Sequence, residues 1–189
     1  IDDLGESYRD IFGYLPQTFG FYPEFTVKSY LEYMSALKGI GKKDASLTIE
    51  RLLQMLALSD VKNKKIRRLS GGMQRRVGIA QALLNDPEIL ILDDSASALD
   101  FATDAALRKS LNRLDWKVTT FLVSQRSSSI QQADLILVLD NGTLAGKGTH
   151  AELLRTCDTY REIYFSQFPE ERARYSSVSA GNIMKEVTV

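Results

Sequence analysis

The chain has 189 residues, 44% of them hydrophobic and 25% charged, which is length and apolar content enough for a core of its own. Lys plus Arg and Asp plus Glu stand at 24 each, so overall charge speaks for neither nucleic acid nor acidic substrates. No apolar run approaches the roughly 18 residues of a membrane helix, and the single Cys157 excludes an intrachain disulfide and fits a reducing compartment.

No signal peptide is visible and the chain opens on Ile1, which reads as a piece of something longer. Residues 11–15 are short and apolar, end at Pro16, and predict a strand. Thr26 then predicts the cap of a helix with Val27, Tyr30, Leu31, Met34 and Leu37 as its apolar stripe. A second helix carries Ile49, Leu52, Leu53 and Leu56 at the same spacing. A third follows Ser70 and runs to about Leu84. Residues 88–93, apolar up to a pair of Asp, predict a buried strand. Residues 101–114 read as a helix with Leu107, Leu111 and Leu114 on one face. Strands are predicted at 118–124 and 133–139, and Asn141-Gly142 supplies a hairpin turn. Helices follow from Thr149 to about Phe168, and the polar end from Pro169 reads as a loose tail. Strands alternating with helices argue an α/β domain with a mainly parallel sheet.

Four short motifs carry chemistry. Leu69-Ser70-Gly71-Gly72-Met73-Gln74 opens a helix, where free backbone N–H groups, the helix dipole and the Ser hydroxyl together favour an anion. Alone, this could equally be a plain Ser cap. Downstream, Ile89-Leu90-Ile91-Leu92 delivers Asp93 and Asp94 at the carboxyl end of a strand. Ligands of open α/β sheets gather at that edge, and Mg²⁺ on a nucleotide wants one or two carboxylates. Ser97-Ala98-Leu99-Asp100 follows, and Tyr14-Leu15-Pro16-Gln17 precedes.

This set, in this order, resembles the nucleotide-binding domain of ABC transporters from the first residues to about Phe168. The resemblance implies a parallel sheet of the P-loop NTPase type flanked by helices, with a helical signature subdomain over about 18–86. It divides the chain into a partial cassette, 1–168, and a tail, 169–189. It implies ATP and Mg²⁺ as cofactors at the cytoplasmic face of a membrane. The partners implied are a second cassette, identical or not, and transmembrane domains, with no nucleic acid. Leu69, Ser70, Gly71, Gly72 and Gln74 match the signature that meets the γ-phosphate of the partner's ATP, with Met73 as an insertion. Gln17 matches the Q-loop residue that touches Mg²⁺ and the attacking water. Asp93 matches the Walker B carboxylate, and Ser97 and Asp100 belong to the D-loop match. The stretch up to the signature helix looks like stand-alone cassettes of antibiotic-resistance and ABC-2 type systems. The stretch from Asp93 onward looks like cassettes fused behind exporter membrane domains.

Three departures qualify the resemblance. The phosphate-binding pattern G-x-x-x-x-G-K-[ST] occurs nowhere in the sequence. Its place in the family lies before Ile1, and without its cradle the chain is not expected to hold ATP tightly by itself. The family's catalytic Glu is Asp94 here, one methylene shorter, and general-base work depends on reach before pKa. The switch His is Gln125, an amide that can hydrogen-bond a phosphate without carrying charge. Asp94 and Gln125 both point to the degenerate half of a heterodimeric exporter. A silent cassette that only donates its signature is the alternative. Cassettes of translation or DNA repair rank last, because the interval from Gln17 to Ser70 is short and lacks sustained heptads.

The remaining expectations are structural. The absent P-loop strand would sit between strands 118–124 and 133–139, leaving edges open to aggregation or re-pairing, and the expectation is that these two close up directly. The aromatic run Phe19, Phe21, Tyr22 and Phe25 reads as core packing or, through the resemblance, as a seat for a membrane-domain helix. Lys62, Lys64, Lys65, Arg67, Arg68, Arg75 and Arg76 read as a solvated helical surface, and His150 as structural.

Overall fold

The computed structural model describes residues 8–18, 20, 22–93, 111, 114, 116–172 and 175. The chain divides into two compact units, Ile1–Gln125 and Arg126–Val189.

The first unit is α/β. A short helix α1 (Tyr8–Ile11) leads into strand β1 (Phe12–Leu15), and helices α2 (Val27–Leu37), α3 (Lys42–Met55) and α4 (Gly71–Ala82) follow. Strands β2 (Ile89–Asp93) and β3 (Thr119–Val123) complete a sheet of order β1-β2-β3. Both pairings are parallel, with Leu15 opposite Leu92 and Asp93 opposite Val123. The core gathers Leu15 of β1, Leu90 and Leu92 of β2, Val77 and Ile79 of α4, and Leu31, Ile49 and Leu53 of α2 and α3. Strand β2 is covered unevenly: Leu90 and Leu92 are buried while Ile89 and Ile91 are half-buried, so it is less enclosed than its apolar run suggests.

Helix α2 starts where Thr26 predicts, the Thr26 hydroxyl accepting from the Ser29 N–H at 3.1 Å. Its stripe is shorter than the spacing suggests. Val27, Tyr30 and Leu31 are buried, whereas Leu37 is 63% exposed in the last turn, and Ser35 takes a buried place by bonding the Leu31 carbonyl. Helix α3 buries Ile49, Leu52 and Leu53, and Leu56 just past its end.

Two distant segments are laced together ahead of α4. The Ile66 N–H donates to the Phe25 carbonyl and the Val27 N–H to the Lys64 carbonyl. Glu24 pairs with Lys65 at 2.7 Å and with Arg67 at 3.1 Å. The hydrogen bond from Lys65, against a smaller desolvation penalty and aided by the charge of Arg67, holds the Glu24 carboxyl below its ordinary value. Gly13 lets α4 approach β1: a Cβ there would lie 2.3 Å from the Ala82 carbonyl oxygen.

The second unit begins with helix α5 (Ser127–Ile130) and the antiparallel pair β4 (Ile136–Asp140) and β5 (Thr143–Gly148). Asn141 and Gly142 turn the hairpin with φ of 46° and 76°, the left-handed values that this dipeptide tolerates. Helices α6 (His150–Thr156) and α7 (Asp158–Gln167) follow. Thr149 and Glu152 cap α6 reciprocally. Ile136, Val138, Leu153, Cys157, Tyr160 and Tyr164 form this unit's core. Residues 169–172 are helical, where the sequence reads as a tail, and Glu171 accepts from the Tyr164 hydroxyl at 2.5 Å.

The strands expected at 118–124 and 133–139 fall in different units, and each is described within its own. Among the described residues the parallel sheet has the order β1-β2-β3, and β4 pairs antiparallel with β5. Phe121 and Val123 are each 55% exposed, and Leu135, Leu137 and Leu139 are exposed too. The hairpin turn gives β4 a partner next to it in sequence, at a far smaller loop-closure cost than a distant strand. Most of the helix expected at 101–114 lies outside the described residues; Leu111 is helical.

Candidate nucleotide site at the carboxyl edge of the sheet

Three sequence-predicted residues reach one edge. Asp93 is the last residue of β2, half-buried, while Gln17 and Gln125 lie two residues past the ends of β1 and β3, both exposed. Because the strands are parallel and adjacent, all three emerge at the carboxyl edge, where open α/β sheets collect ligands. Asp94, Ser97 and Asp100 lie outside the described residues.

The signature segment is built around a helix start. Ser70 has an extended backbone, φ −63° and ψ 157°, and its hydroxyl accepts from the Met73 N–H at 3.3 Å. Ser70 and Gly71 are exposed, and a Cβ at Gly71 would meet nothing within 4 Å. The first turn of α4 carries no acidic residue, so no carboxylate of that turn opposes the helix dipole at the exposed Gly71.

Leu69 and Gln74 hold the turn ahead of the helix. Leu69 is buried in the core, so its side chain is not at the tip. The Gln74 amide nitrogen donates to the carbonyls of Ile66 and Leu69, each at 3.2 Å. It thereby fixes the turn ahead of Ser70. Gly72 is half-buried behind Gly71. The parts of the signature that remain open to a ligand are thus Ser70, Gly71 and the main chain of the first turn.

The basic stretch is not uniformly a solvated surface. Lys64, Arg67 and Arg68 are exposed, but Arg75 is 7% exposed. Its guanidinium donates to the carbonyls of Pro16 at 3.2 Å, Gln17 at 2.9 Å and Asp93 at 2.7 Å. Arg76 caps the end of α3 through the carbonyls of Leu56 at 2.9 Å and Ala57 at 3.3 Å. Sequence reasoning missed both. The available signal was their position on α4 beside Val77 and Ile79, on a helix whose other face had to meet the sheet.

The aromatic residues form a cluster. Tyr22 stacks on Phe25 at 5.3 Å, and both meet Tyr33 edge to face at 5.5 and 5.7 Å. Tyr22 is half exposed. Phe19 and Phe21 lie outside the described residues. In the second unit His150 packs against Tyr160 and Tyr164, its Nδ1 2.8 Å from the Tyr160 hydroxyl oxygen, which bears out a structural reading. Burial, opposed by the Glu171 charge, lowers its pKa.

Comparison with known proteins adds to this geometry. The family model described as ABC transporter matches residues 2–97. A Bacillus subtilis protein named "Probable multidrug resistance ABC transporter ATP-binding/permease protein" is 41% identical over 164 residues, covering 84% of this chain and 28% of that relative. An ATP-dependent lipid A-core flippase of Aromatoleum aromaticum is 43% identical over 105 residues, 56% of this chain and 18% of the flippase. A solved bacterial Atm1-family ABC exporter with ATP bound superposes with a TM-score of 0.74 at 28% identity, covering 84% of this chain and 29% of that one. The chain therefore spans under a third of the length of these relatives.

Proposed function

The chain belongs to the ABC transporter family, and on that premise we propose that it is part of the ATP-binding domain of an exporter, working at a dimer interface. The observation that carries this reading is the meeting of Gln17, Asp93 and Gln125 on one sheet edge, with Arg75 tying two of them to the helix that begins at Ser70. ATP would lie between this chain and a second cassette, with Ser70 and Gly71 facing the partner's nucleotide.

Oxygen donors at this edge suit a hard cation. Among the described residues no group of three or more His, Cys, Asp or Glu could hold a metal alone. A Mg²⁺ ion would take Asp93 and Gln17 from the protein and its remaining oxygens from phosphate and water. Bound there, it would neutralise phosphate charge, and the chain's own contribution is to orient the Asp93 carboxylate and the Gln17 amide. Among the described residues no helix is long and apolar enough to cross a membrane. Transmembrane domains would be supplied elsewhere, and the half-exposed ring cluster of Tyr22, Phe25 and Tyr33 is the surface proposed to receive them.

Asp94 and Gln125 stand where the family's Glu and His would be, so the chain's own site is proposed to turn over ATP poorly. Restoring both by Asp94→Glu and Gln125→His without any gain in turnover would count against this. The second reading, a silent cassette that donates its signature to a partner's site, is favoured by the exposed Ser70 and Gly71. Both readings are tested by mixing the chain with a complete exporter cassette, such as that of the Bacillus relative. They predict co-elution that requires ATP and is lost in Ser70→Arg. Co-elution indifferent to ATP and to Ser70 would reject both.

A further inference from the structure

Arg75 is a buried cation that donates to main-chain carbonyls. Its Nη1 donates to Pro16 at 3.2 Å and Gln17 at 2.9 Å, and its Nη2 to Asp93 at 2.7 Å. Desolvating a guanidinium costs several kcal/mol unless its hydrogen bonds are met, so its presence in the unit's interior calls for a use of its fork. The three carbonyls belong to the first residues past β1 and the last residue of β2. They are therefore the main chain from which the Gln17 and Asp93 side chains project. Arg75 itself lies just over one turn along α4 from Ser70, on the helix whose first residue, Gly71, is exposed.

The geometry points to Arg75 as a positioning residue that fixes Gln17 and Asp93 at one spacing and ties both to the signature helix. A nucleotide touching the tip of α4 and a cation held at the sheet edge would then sense the same rigid body. This rests on the reading of the edge as a metal–nucleotide site. Lysine cannot replace it, because one ammonium donates from a single point and cannot span two carbonyl groups from separate strands as the planar fork does.

The test uses the 189-residue chain and its Arg75→Lys variant, with MnATP at millimolar concentration as a paramagnetic probe of amide resonances. Unaltered chain should show broadening at Gln17 and Asp93 together. In Arg75→Lys the joint broadening should fall about tenfold, and exchange of the amides of Tyr14, Leu15, Gln17 and Thr18 and of 89–93 should rise about tenfold, while α2 and α3 stay unchanged. Unchanged broadening in the variant overturns the positioning role, even where exchange rises, because the residue is then only structural. A uniform rise in exchange across α2 and α3 overturns it as well, since the variant has lost the fold at large. If the unaltered chain shows no selective broadening, the metal–nucleotide reading itself fails, and it does so before any substitution is made.

Discussion

Gly13→Ala places a single methyl where α4 meets β1. The added Cβ would lie 2.3 Å from the Ala82 carbonyl oxygen, 2.9 Å from Pro87 Cγ and 3.0 Å from Leu90 Cδ1. Two of these are side-chain atoms that can move slightly. The first is backbone at the end of α4 and cannot yield without shifting the helix. Relief to an ordinary contact needs a displacement of about 1 Å, and overpacking of this kind costs roughly 1–3 kcal/mol. Alanine's better strand propensity and lower unfolded-state entropy recover about 0.4–1 kcal/mol, leaving a clear net loss. Urea unfolding followed by circular dichroism reads it as a lowered midpoint at unchanged slope. Gly71→Ala is the control, since nothing lies within 4 Å of its added methyl and the helical position favours alanine by up to about 1 kcal/mol. A neutral or stabilising Gly13→Ala would refute the claim that α4 rides directly on β1.

Other outcomes follow from the same structure. Ser70→Ala removes the cap on Met73 N–H and should cost about 1 kcal/mol, read by denaturant unfolding; loss of ATP-dependent association without loss of stability would show that the cap is dispensable. Leu92→Ala, in the centre of the sheet, should cost about 2–5 kcal/mol in the same assay. For His150 the folded pKa is lowered by burial, so the unfolded chain binds more protons and stability rises with pH through the ordinary imidazole range. Lowering the pH from about 7 to 5 should therefore lower the melting temperature of wild type more than that of His150→Phe. Equal slopes would contradict it.

Much of the framework was legible in local patterns. Thr26 and Ser70 announce α2 and α4, Asn141-Gly142 announces the hairpin, and the apolar run before Asp93 announces β2. These signals are local because caps, turns and strand periodicity are decided within a few residues. The convergence of Gln17, Asp93 and Gln125 was legible only through the resemblance, which supplies the parallel order. What the sequence hid depends on distant main chain. Arg75 finds carbonyls 58, 59 and 18 residues away, and no spacing rule marks a cation for such partners. The Gln74 amide bonds carbonyls of the preceding turn, a local use that its place in the motif does not announce. Leu37 fits the stripe of α2 yet ends up exposed, because periodicity gives the face of a helix but not where its neighbours stop.

In the proposed function Asp93 would hold the metal and α4 would be the signature helix, while the pattern G-x-x-x-x-G-K-[ST] does not occur in these 189 residues. Calorimetric titration of MgATP into the 189-residue chain, with Asp93→Ala alongside, tests this most directly. The account predicts no binding tighter than about 1 mM, near 4 kcal/mol of affinity, for either protein. Micromolar binding that Asp93→Ala abolishes would contradict it, and would mean that residues within these 189 cradle the phosphates.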